Sequence, residues 1–145
     1  MRSIIISTVA ILWFGLTAAL AADDERQLVN LPEHMREHML SSMRDHLATI
    51  NEIQAELAKG EYDKAAETAE TRLGMTSLTA HNASHMAPFM PKGMQDTGTE
   101  MHHAASRFAR AAQEAAVEGK LSTALDSLAQ VTTQCVACHA AYRVH

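Results

Sequence analysis

Basic charge, proline and cysteine are all scarce in this sequence, and each shortage removes a class of function. The 12 Lys and Arg residues stand against 17 Asp and Glu, a formal charge of −5 with the histidines neutral. Nucleic acid and anionic membrane surfaces are bound through cationic patches, so neither is expected as a partner. The 3 prolines, Pro32, Pro88 and Pro91, leave long stretches uninterrupted, and no alternating apolar and polar run of useful length is present. That excludes a core built from sheets and leaves an alanine-rich, all-α composition. Only 2 cysteines occur, Cys135 and Cys138. A disulfide between positions three apart closes too small a loop to tie distant elements together. The pair asks for a chemical explanation.

The one long apolar run lies at the start, in "MRSIIISTVAILWFGLTAALAADDE". One arginine, an apolar stretch and then Ala19-Leu20-Ala21 fit a cleavable export signal over residues 1–21, and the abrupt turn to acidic residues favours removal over retention as a membrane anchor. A periplasmic protein with no membrane attachment after cleavage is expected. Removing 21 of the 145 residues leaves 124, residues 22–145, enough for one domain with one core.

Caps and periodicity predict four helices. The first covers 31–59, from a capping-box-like Asn30 and Glu33 to Gly60. Met35, Met39, Met43, His46, Ile50, Ile53 and Leu57 fall on one stripe of it, its expected buried face. The second runs from Glu61 to the region of His81 or His85, and "APFMPKGMQDTG" is expected to interrupt regular structure. The third covers 99–118 and stops at Gly119; the fourth starts near Leu121 and carries Leu121, Leu125, Leu128, Val131 or Thr132, Cys135 and Cys138 at three- and four-residue steps. Short first and last turns imply an antiparallel up-down-up-down four-helix bundle. In that topology the start of the first helix, the long connection and the end of the last helix share one end of the bundle.

At that end stands "CVACH". C-x-x-C-H is the attachment signature of c-type haem: two thiols add to the two vinyl groups of the porphyrin, and the adjacent imidazole is held under the iron. Cys135 and Cys138 are thus expected to form thioethers and His139 to be an axial ligand. A thioredoxin-like pair would sit beside a βαβ pattern, which is absent, and a structural zinc site needs four ligands where the motif offers at most three. Export agrees with haem attachment, which takes place outside the bacterial cytoplasm.

A signal peptide, four helices and "CVACHAAYR" at the C-terminus resemble the class II cytochromes c, the cytochrome c′ family, including its six-coordinate branch. The resemblance implies haem c between the helices of a bundle, electron transfer to periplasmic redox partner proteins or binding of small gases, and frequent homodimers. By position it matches Cys135 and Cys138 to the haem-linking cysteines and His139 to the proximal ligand. Tyr142 and Arg143 match the aromatic and basic residues that follow, candidate haem contacts.

What such a haem does is set at its sixth position, which relatives fill with methionine or leave empty beneath an apolar residue. At a rise of 1.5 Å per residue, Met35 lies about 7 Å beyond Asn30, Met39 about 13 Å and Met43 about 20 Å, against about 5–6 Å for iron over His139. Met35 or Met39 is therefore the expected sixth ligand. The leading expectation is an electron carrier without catalytic machinery; the alternative is a five-coordinate protein that takes NO or CO. A third reading assigns copper to the stretch holding His81, His85, Met86, Met90, Met94, Met101, His102 and His103, because thioether and imidazole suit that metal.

Overall fold

The structure, a computed structural model, describes residues 24–145, and the expected signal peptide at 1–21 lies outside the described residues. The chain is all-α in class. Among the described residues the helices are α1 (Glu33–Ala58), α2 (Tyr62–Arg72), the single turn α3 (Ala83–Met86), α4 (Lys92–Glu118) and α5 (Leu121–Ala141), with 3-10 turns at Met75–Leu78 and Ala87–Phe89. Two short strands, β1 (Gln27–Leu28) and β2 (Tyr142–Arg143), pair in parallel. None of the described helices is long and apolar enough to cross a membrane.

The α1–α2 and α4–α5 turns each contain a glycine in the left-handed region, Gly60 at φ 75° and Gly119 at φ 69°. Side chains with a Cβ are strained there, so these glycines end their helices where expected. The start of α1 departs from expectation. Pro32, at φ −52°, is the N-cap, and no side chain caps the helix. Asn30 is unsuited to that role because the chain before it is tied to the other terminus: Val29 N–H donates to the Arg143 carbonyl at 2.8 Å, and Leu31 N–H to the Val29 carbonyl at 3.1 Å.

The second expected helix is shorter than its apolar pattern. It stops after Arg72, and Gly74 turns extended with ψ −176°. A Cβ there would run into the Glu70 side chain and carbonyl. The bend is held by the Ser77 hydroxyl, which donates to the Gly74 carbonyl at 2.7 Å, and by the Thr76 hydroxyl on the Glu70 carbonyl at 2.7 Å. The third expected helix begins earlier, at Lys92 instead of residue 99, because Pro91 serves as its N-cap and so starts the helix it was expected to prevent. Gln95 then ties the connection to the helix, donating to the Ala87 and Met90 carbonyls at 2.9 Å each. Gly93 lies in the first turn of α4, where a Cβ would collide with the Tyr142 hydroxyl.

Phe108, Ile53, Leu73 and Val131 are the large fully buried apolar residues, and alanines such as Ala65, Ala69, Ala105 and Ala112 fill the space between helices. Small side chains allow close helix approach. Accordingly α4 packs along α5 and α2, and α2 along α1, whereas α1 makes no comparable contact with α5. The space between α1 and α5 is where the chemistry-bearing residues collect.

Candidate functional site

Cys135 and Cys138 are three residues apart on α5, one helical turn, and so lie on the same face. Both thiols are free and half-buried, and burial pushes both above the ordinary thiol range. They are neutral at pH 7. Together with His139 they line a cavity of about 370 Å³. Its opposite wall is α1, through Met43, His46, Leu47 and Ile50, and α4 contributes Thr97, Gly98 and Met101. At the mouth stand two apolar side chains in contact with solvent, Leu47 at 72 % exposure and Val136 at 68 %. The slot thus carries two thiols and an imidazole on its α5 wall, and a thioether, an imidazole and apolar groups on its α1 wall.

A second cavity, about 190 Å³, adjoins the first and shares Met43, His46, Gly98, Met101 and Cys138 with it. Six methionines line it, Met39, Met43, Met86, Met90, Met94 and Met101, and so do His46, His81 and His102. His46 and His81 meet with their Nε2 atoms 3.2 Å apart and their rings edge to face. His102, itself buried, donates from Nδ1 to the Leu73 carbonyl at 2.7 Å, and its ring centre is 5.3 Å from that of His81. His38 Nε2 lies 3.1 Å from the His81 carbonyl.

Burial first, and neighbouring imidazoles second, disfavour the charged forms of His46, His81 and His102. His46 is lowered to about 4, by desolvation first and then by His81 and His102, and desolvation also lowers His81 and His102. A base whose folded pKa lies below its unfolded value leaves stability untouched above the unfolded pKa and costs stability as pH falls towards the folded one. For His46 that window is pH 6.5 down to about 4. By pH 5 the loss is about 2 kcal/mol. Urea midpoints taken with a chelator present at pH 7, 6 and 5 should therefore fall less in His46→Leu than in the parent protein. Equal falls would show that His46 is not held neutral.

The expected site residues divide into those that reach the slot and those that do not. Cys135, Cys138 and His139 line it. Met39 lines the adjoining cavity with Cys138, whereas Met35, only 3 % exposed, lines neither. Tyr142 is in β2, outside α5, half-buried with its hydroxyl against Gly93, and Arg143 forms an ion pair with Asp24 at 3.4 Å. Neither lines either of these two cavities. Of the Met- and His-rich stretch, His85 and His103 are exposed while His81, Met86, Met90, Met94, Met101 and His102 face the smaller cavity.

The rise along the first helix sets Met43, about 20 Å beyond Asn30, too deep to reach the iron. That estimate took the ends of α1 and α5 as level. Instead His139, two residues from the end of α5, shares its cavity with Met43, about three turns into α1, so the two helix ends are offset. The spacing of Met39, Met43 and His46 on one stripe was the available signal; the offset of the helix ends was not. Comparison of the chain with family models, with curated proteins and with solved structures gives no match.

Proposed function

We propose that the chain is an exported, periplasmic c-type cytochrome of the class II kind, an antiparallel up-down-up-down four-helix bundle that carries electrons to and from redox partner proteins. The observation that supports this reading most is that the complete C-x-x-C-H motif lines the slot that α1 leaves open against α5. Haem c, when bound, supplies one-electron exchange between ferric and ferrous iron.

The chain's own residues would do the rest. Cys135 and Cys138 anchor the group by thioethers, each S–H adding across a vinyl C=C with no oxidant or leaving group required. His139, next to the second anchor, is the proximal ligand. Two thioethers share the slot with both thiols and His139, Met43 on the α1 wall and Met101 on α4; Met43, on the wall opposite α5, is the first candidate for the sixth ligand, ahead of Met39. Apolar walls from Ile50, Leu73 and Val131 would keep water from the iron and so favour its less charged state. No side chain is assigned a catalytic role.

Optical spectra of the ferric and ferrous protein test the proposal. Low-spin spectra of c-type haem in both states are expected. A high-spin ferric spectrum at neutral pH, with fast CO uptake after reduction, would replace the carrier with the NO- or CO-binding alternative.

A further inference from the structure

The contact between His46 and His81 is not needed for haem attachment and has the dimensions of half a metal site. Two imidazole nitrogens bound to one ion at about 2.0 Å in tetrahedral geometry stand about 3.3 Å apart; here the two Nε2 atoms are 3.2 Å apart. As the structure stands, that distance is one N–H···N hydrogen bond. Placing the shared hydrogen on Nδ1 of His81, 3.4 Å from the Ser77 hydroxyl, would free both Nε2 lone pairs for an ion. The change is tautomeric, with no net loss of a proton.

The rest of the cavity decides which ion. Among the described residues no group of three or more His, Cys, Asp or Glu side chains is arranged to hold a metal. Imidazole alone does not complete the site, and sulfur must. The cavity wall supplies that sulfur as thioethers, Met39, Met86, Met90, Met94 and Met101 besides Met43, and has no carboxylate. Neutral imidazole and thioether donors suit a soft monovalent ion and give a divalent one no charge compensation. Three independent elements converge here: α1 through His46, the bend after α2 through His81, and the α3–α4 segment through the methionines.

We propose that His46 and His81, with thioethers of the lining methionines, form a Cu(I) site beside the slot of α5. It differs from the copper reading of the sequence in its ligands. His46, on the first helix, joins it, and the exposed His85 and His103 do not.

Cu(I) offered as its bicinchoninate complex under anaerobic conditions tests the site in the protein isolated with its haem. Native alkylation beforehand blocks any free thiol, and the mass added by that step reports failed haem attachment separately. One equivalent of Cu(I) should leave the chelator. His81→Ala should weaken uptake at least 100-fold, Met86→Leu with Met90→Leu and Met94→Leu should weaken it at least tenfold, and His85→Ala should leave it unchanged. Circular dichroism of each variant reports folding. No uptake by the parent, or uptake equal in His81→Ala of native helicity, would overturn the proposal.

Discussion

Expression with the c-type maturation machinery should give a protein whose haem survives denaturing gel electrophoresis, and Cys135→Ala with Cys138→Ala should give one with no covalent haem. The effect is all or nothing because the described residues hold no other thiol: Cys135 and Cys138 are its free cysteines. Both line the slot, and burial keeps both protonated, so neither is poised for the thiolate chemistry of a redox pair. Addition to a vinyl group uses the S–H as it stands. Haem extractable from the unmutated protein by acid acetone, or covalent haem in the double variant, would end the cytochrome reading.

The second large effect concerns Met43. A thioether on iron favours the ferrous state and holds it low-spin, so an incoming CO must first displace sulfur and binds slowly. Met43→Ala should therefore abolish the weak near-infrared sulfur-to-iron charge-transfer band and convert slow CO binding to fast. Met35→Ala should keep both properties, since Met35 is buried outside the two cavities. Loss of the band in Met39→Ala with its retention in Met43→Ala would move the ligand one turn towards the start of α1.

Signals that act within a few residues were legible in advance. Gly60 and Gly119 end helices because a left-handed residue is a local requirement, and the cysteine spacing carries its chemistry wherever the helix lies. Pro91 and Gly74 show the limit of such signals. The sequence marks Pro91 as a break and leaves Gly74 inside the second helix, whereas Pro91 opens a helix and Gly74 lies just past the end of one; the outcome depends on what the flanking groups bond to, here Gln95 for one and Glu70 with Ser77 for the other. His81 shows it again. Its meeting with His46 exists because α2 stops at Arg72, a consequence of packing that periodicity over residues 61–85 does not contain.

The sparse packing between α1 and α5 also sets how the molecule comes apart. The first half of α1 is held at its base by the β1–β2 pairing and further along by α2, with little behind it on the α5 side. Such a segment opens at a smaller free energy than the α4–α5 pair, as a leaf hinged on the α1–α2 turn. A group wedged against Met43, Ile50 and Cys135 would give that leaf the missing contacts and merge it into one cooperative unit with α4 and α5. Loading the slot and holding β1 beside β2 are then a single thermodynamic event.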